Sequence, residues 1–159
     1  MLLRFLQGRK MMEKKRILTG DRPTGHLHLG HYCGSLRNRV ELQDDYEEFI
    51  LIADVQALTT HFERPELIND SIYQITMDNL AVGLDPEKVT FIQQSGVPCI
   101  HELTMYYSMI TTCNHLLINP TIKTEARSYG MQDEGREYDF SKLTYGFLGY
   151  PISQTADIT

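Results

Sequence analysis

Apolar and polar positions alternate along the chain between two periods. Arg16 to Thr19 reads as a short strand. Turn residues follow it, from Gly20 to Gly25. Leu29, Cys33, Leu36 and Val40 then recur at helical spacing, which predicts a helix from about Leu29 to Gln43, stopped at Asp44-Asp45. Phe49 to Ala53 is a continuous apolar run ending in Asp54, as a strand covered on both faces reads. Thr59, Thr60 and His61 are expected on a loop. Pro65-Glu66 opens a second helix, with Ile68, Ile72, Ile75 and Leu80 along one face and Gly83 as its stop. Val89 to Gln93 reads as a third strand, and Ser95 to Pro98 as a loop. A third helix is expected from about His101 to Leu117, with Pro120 just beyond it. Thr121 to Tyr138 is charged, carries Gly130 and Gly135, and reads as a surface excursion or mobile loop. In the last apolar segment, Leu143 to Thr159, Pro151 is expected to open a short helix bearing Ser153, Gln154 and Asp157.

The order βαβαβα predicts an α/β fold with a parallel sheet and right-handed crossovers. Ligands of such sheets bind outside the carboxyl ends of the strands. Those ends bring Thr19-Gly20-Asp21, Asp54-Val55-Gln56 and Gln94-Ser95 toward one crevice. Composition adds bounds. A length of 159 residues fits one domain, and 42% apolar residues suffice for an ordinary core. A net charge of -6 gives no general basic field, so a nucleic acid needs a local patch and DNA is not expected as a partner. Cys33, Cys99 and Cys113 form no CxxC pair, which suits a reducing cytoplasm better than a disulfide framework. No apolar run approaches the length of a membrane span, about 18 residues. The first ten residues carry three cations and no acid, and the native start is expected at Met11 or Met12. Residues 1–12 are therefore taken as an extension and 13–159 as the domain.

The chemistry concentrates at His26-Leu27-His28-Leu29-Gly30-His31, where a strand and a glycine turn lead into a helix. The first N–H groups of a helix lack internal partners and the dipole there is positive, so the site suits phosphate. Gly30 leaves the backbone open to a base or phosphate, and His28 and His31 can donate hydrogen bonds to phosphate oxygens. Three histidines could instead hold a metal, but carboxylate partners are absent nearby, and no protein-bound metal is expected. Asp157 stands in a small, apolar helix and needs a partner. Asp54 reads as a cap for the following loop, and Lys123 and Arg127 as solvated surface.

The chain resembles the class I aminoacyl-tRNA synthetases in its Thr-Gly-x-x-Pro-Thr-Gly turn and His28-Leu-Gly-His31 motif, and within them the tryptophanyl-tRNA synthetase family. The matching pieces are TGDRPTGHLHLGHYCGSLRNRVELQ, ADVQALT, LAVGLDPEK, FIQQSGVP, NPTIKTE and GYPISQTADIT, spread from Arg16 to Thr159. The resemblance implies a Rossmann-like parallel sheet with flanking helices. It implies ATP-dependent activation of tryptophan and its transfer to tRNA(Trp), with Mg2+ accompanying ATP, in a cytoplasmic homodimer. It places His28 and His31 on the ATP phosphates. Asp21, Arg22, Pro23, Thr24 and Gly30 would line the nucleotide site. Asp157, Gln154, Leu18, Gly20, Gln56 and Tyr150 would form the tryptophan pocket, with Asp157 accepting from the indole N–H. The family's downstream KMSKS loop and anticodon-binding domain have no counterpart here, so the chain is expected to be a front fragment, inactive by itself. His31, Arg22 and Gln154 stand where many members have Asn, Gln and Met. Tyrosyl-tRNA synthetase, a small HxGH adenylyltransferase, or a non-catalytic nucleotide-binding or dimerising piece remain as alternatives.

Overall fold

A computed structural model describes residues 14–132 and 138–159. The expected extension at residues 1–12, both candidate start codons and Gly135 lie outside the described residues. Strands β1 (Arg16–Asp21), β2 (Glu47–Ile52) and β3 (Val89–Gln93) pair in parallel in the order β1-β2-β3. Central β2 buries Ile50, Leu51 and Ile52. Helix α4 (Pro65–Ala81) covers one side of it through Ile68 and Ile75, as its apolar face predicts, and Gly83 follows with φ +107°. A second apolar cluster joins Leu116, Ile122, Ala126, Phe147, Tyr150 and Ile152 from three further helices.

Four expectations need correction. Thr59, Thr60 and His61 are not on a loop but close helix α3 (Asp54–His61). Burial of Gln56 and Ala57 stabilises this short helix, and the threonine hydroxyls bond back to the carbonyls of Gln56 and Ala57. The third helix is two: α5 (Pro98–Ile110) and α6 (Cys113–Leu117). Thr111 is extended between them and Thr112 caps the N–H of His115. Pro120 lies just beyond α6, as expected, but it opens α7 (Pro120–Ser128), which runs into the stretch from Thr121 expected to be a loop. Asn119 caps the N–H groups of Thr121 and Ile122, and Ile122 and Ala126 bury one face. Pro151 sits inside α8 (Tyr145–Asp157) rather than at its start. Thr144 is the true cap, accepting from Phe147 N–H, and packing by Phe147, Tyr150 and Ile152 outweighs the missing proline donor.

The first helical run is also less regular than its pattern. It divides into α1 (Leu29–His31), a π-helical stretch (Tyr32–Leu36) and α2 (Arg37–Leu42). The wider turn shifts the inward face, so Leu29 and Cys33 are exposed while Leu36, Arg39 and Gln43 are buried. Arg39 does not reach solvent. Its Nη1 and Nη2 donate to the two Asp21 carboxylate oxygens at 2.7 and 2.9 Å, with side-chain exposures of 3% and 9%. Nη1 also donates to Asn79 Oδ1 and Nε to Ser35 Oγ. This pair ties the end of β1 to the run carrying His31 and, through Asn79, to α4. Removing one partner strands a buried charge, so Arg39→Leu should destabilise the fold by about 3–5 kcal/mol. Urea unfolding checks this; a loss near zero would show the pair to be energetically replaceable.

Candidate functional site

The ends of β1 and β2 open onto a cavity of about 400 Å³. Leu18, Gly20, Gln56, Tyr150, Gln154 and Asp157, the residues expected to form the tryptophan pocket, all line it. Ser153, expected on the same helix face, lines a neighbouring cavity instead. Gly20 permits the close wall: a Cβ there would stand 2.7 Å from the Leu51 carbonyl oxygen. One fully buried residue, Gln94, fixes the far end. Its Oε1 accepts the Gln56 N–H at 2.9 Å, so its Nε2 faces Asp157 and donates to Oδ1 at 2.7 Å. Burial pushes the Asp157 carboxyl above its usual range, against the Gln94 hydrogen bond and the nearby His101.

Among the described residues, four buried side-chain polar atoms lack a hydrogen-bond partner: Arg22 Nε, Gln56 Oε1, Tyr150 Oη and Glu48 Oε2. The first three belong to residues lining this one cavity. Buried polar groups without partners are costly, and their convergence on one space fits a ligand with both donors and acceptors. Burial first, then the Glu125 carboxylate, by its charge and by a hydrogen-bonding approach that falls outside strict hydrogen-bond geometry, pushes the Tyr150 phenol up to about 12, with Arg22 opposing. Glu125 and Thr121 line the cavity too. Both come from α7, which the sequence reading missed; Asn119-Pro120 was the signal for it.

A second cavity of about 380 Å³ shares Gly20, Asp21 and Arg22 with the first. Thr24, His31 and His61 line it as well. His28 and Gly30 are exposed, and Pro23 is buried. Asp21 offers its backbone here, since its carboxylate is engaged by Arg39. The two histidines form a reciprocal cap. His28 Nδ1 accepts the Gly30 N–H at 3.0 Å, and His31 Nδ1 accepts the His28 N–H at 3.2 Å. A neutral imidazole that accepts at Nδ1 carries its proton on Nε2. Both rings therefore offer an Nε2–H donor, with centroids 4.1 Å apart. The structure gives Gly30 a nearer reason than an approaching base: a Cβ there would stand 2.8 Å from His28 Cε1.

Asp54 is a structural tie. It accepts from Val55 N–H, Ser95 N–H, Ser95 Oγ–H and Gln93 Nε2, joining the ends of β2 and β3. Burial works to raise its carboxyl, and these hydrogen bonds together hold it below the usual range. Arg127 is exposed, as expected, and its Nε donates to Gln132 Oε1. Among the described residues there is no group of three or more His, Cys, Asp or Glu side chains placed to hold a metal.

Comparison with known proteins agrees with this geometry. The family model for class I tRNA synthetases (W and Y) matches residues 10–159. A tryptophan--tRNA ligase from Streptococcus mutans is 53% identical over 150 residues, covering 93% of this chain and 42% of that protein. The chain thus spans about 42% of the length of the curated relatives it matches. A Campylobacter jejuni tryptophanyl-tRNA synthetase complexed with ADP and tryptophan superposes with a TM-score of 0.73 at 29% identity, covering 90% of this chain and 41% of that one. An Archaeoglobus fulgidus tyrosyl-tRNA synthetase complexed with L-tyrosine gives a TM-score of 0.70 at 25% identity, covering 93% and 44%. A match over nearly the whole chain, on a parallel sheet with its cavity at the strand ends, assigns it: the chain belongs to the class I tRNA synthetases of the tryptophan and tyrosine type.

Proposed function

We propose that the full-length gene product activates tryptophan with ATP and transfers it to tRNA(Trp). One observation carries the reading: Asp157, with its partner Gln94, stands in the same cavity as three unpartnered buried polar atoms. Indole has one donor and no acceptor, so its pocket needs an acceptor beside apolar walls. Asp157 supplies the acceptor, and Leu18, Leu51 and Ala53 supply apolar wall. In the same lining, Tyr150, Gln56 and Arg22 suit an ammonium and a carboxylate. A tryptophan carboxylate oxygen attacks the α-phosphorus of ATP. The new O–P bond forms as the bond to the bridging oxygen breaks, and pyrophosphate leaves with that electron pair. The substrate is itself the nucleophile, so the protein positions and stabilises charge. His28 and His31 donate from Nε2 to phosphate oxygens, where the bonds strengthen as charge grows. Mg2+ enters with ATP. A ribose hydroxyl of tRNA then takes the aminoacyl group and releases AMP.

The exposed Met105, Tyr106, Met109 and Ile110 on α5 support a homodimer joined there. Free cysteines at 33, 99 and 113 suit a reducing cytoplasm. No helix among the described residues is long and apolar enough to cross a membrane.

Two outcomes follow for the full-length protein. A hydrogen bond to a charged group contributes about 1.5–3 kcal/mol, so His31→Ala should slow ATP–pyrophosphate exchange by roughly ten- to a hundredfold. An unchanged rate would remove His31 from the phosphate site.

Asp157→Ala should weaken tryptophan while leaving ATP binding nearly intact. By titration, wild type should prefer tryptophan over its benzothiophene analogue and over tyrosine, and the mutant should lose its preference over the analogue. Equal binding of both ligands by wild type, or joint loss of ATP and tryptophan in the mutant, would make Asp157 structural. The pH dependence has two opposite signs. A carboxyl raised in the fold adds stability that is present below its unfolded value and fades as pH rises through the raised value. Indole binding needs the ionised form, so tryptophan affinity should fall as pH drops through the raised value, earlier than for an ordinary carboxylate.

A further inference from the structure

Arg22 lines both cavities, and among the described residues lining the first it is the one cation. Its guanidinium is approached from two sides. From α3, Thr60 Oγ1 accepts from Nη2 at 2.5 Å. From α7, Glu125 Oε1 lies 4.0 Å from Nη1. Thr60 Oγ1 also meets His61 Nδ1 at 2.9 Å, which fixes the hydroxyl further. Arg22 Nε is buried and still without a partner. The cation is thus fixed where the cavities meet, with a donor in reserve.

We infer that Thr60 and Glu125 are positioning residues for adenylate formation, acting through Arg22. The inference rests on the function proposed above, in which tryptophan's carboxylate and the α-phosphate of ATP meet between the two cavities. Both reactants are anions, and their approach is opposed by mutual repulsion. A planar guanidinium can donate to a carboxylate and a phosphate at once. Its effect is greatest when the two oxygens are closest, at the moment of attack, so it acts on turnover more than on binding. An unheld arginine would sample many rotamers and spend little time at the junction. The hydroxyl of Thr60 and the carboxylate of Glu125 remove that freedom. Glu125 needs Arg22 in return, because a bare carboxylate in that wall would repel the substrate carboxylate.

The alternative is that Thr60 merely satisfies a buried donor and contributes to packing. A double-mutant cycle separates the two. ATP–pyrophosphate exchange is measured on the full-length protein for wild type, Thr60→Val, Thr60→Ser, Glu125→Gln and Arg22→Ala. The same measurement is made with Thr60→Val and Glu125→Gln placed on Arg22→Ala. Thr60→Val keeps the shape and loses one charge-assisted bond, so kcat should fall about tenfold while KM for tryptophan moves less than about twofold. Thr60→Ser should restore kcat, and Glu125→Gln should repeat the kcat loss. Neither change should cost anything further on Arg22→Ala. A loss that persists in full on Arg22→Ala, or an unchanged kcat in both single variants, overturns the inference. Should Thr60→Val fail to fold, Glu125→Gln carries the same comparison from the other side of the guanidinium. Wild type that exchanges pyrophosphate with tryptophan while the variants match it overturns this inference alone. Wild type with no tryptophan-dependent exchange overturns the proposed function, and this inference with it.

Discussion

The bidentate pair between Arg39 and Asp21 sets the geometry on which both cavities depend. The helical run with the paired histidines leans out from the sheet, and Leu29, Cys33 and Tyr32 near its start are exposed. Its inward anchors lie further along, at Leu36, Arg39 and Gln43. His31 is eight residues from Arg39, about 12 Å along a helix. Any rotation at Arg39 is therefore magnified at the imidazoles. A hydrophobic replacement could fill the same volume, but it would not fix an angle. Two parallel N–H···O bonds on one carboxylate do fix it, and Asn79 locks the carboxylate from α4. The cost is that Asp21 has no charge left for a ligand.

Gln94 does for the cavity at the strand ends what Arg39 does for the histidine run. Its amide is committed in both directions: it accepts from the Gln56 backbone and donates to Asp157. Since the backbone N–H can only donate, the amide has one orientation, and Asp157 can only be an acceptor toward it. One carboxylate oxygen is thereby occupied and aligned. The same residue joins β3 to α3 and α8, so cavity shape and acceptor direction are set together.

The three strands, α4 and the meeting of the β1 and β2 ends were legible because each carries a strong local signal. Val89 to Gln93 matches to the residue, and Pro65 and Gly83 bracket α4 as their backbone chemistry requires. Pro120 opens α7, and Pro151, expected to open a helix, lies inside α8. Proline marks a helix start as readily as an end, and the nearby cap decides. Asn119 and Thr144 are those caps, and neither was weighed. With α7 unread, Thr121 and Glu125 were absent from the expected cavity. Arg39 was invisible for a different reason: a charge on a helix reads as solvated, and only the carboxylate across the fold makes its burial tolerable. The π-helical turn that brings it inward leaves no mark in the apolar pattern.

The histidine pair shows how a helix cap can also present outward donors. Each Nδ1 is occupied by a backbone N–H, which forces the proton onto Nε2 and aims it outward. A ring held in that tautomer is a donor before any ligand arrives. A cap of serine or aspartate would satisfy the same N–H and offer nothing beyond it. Gly30 belongs to this arrangement, because any larger residue would press on the His28 ring that accepts from it. In the reaction proposed above, the imidazoles would meet charge that grows on the departing pyrophosphate, and the guanidinium charge present on both reactants from the start.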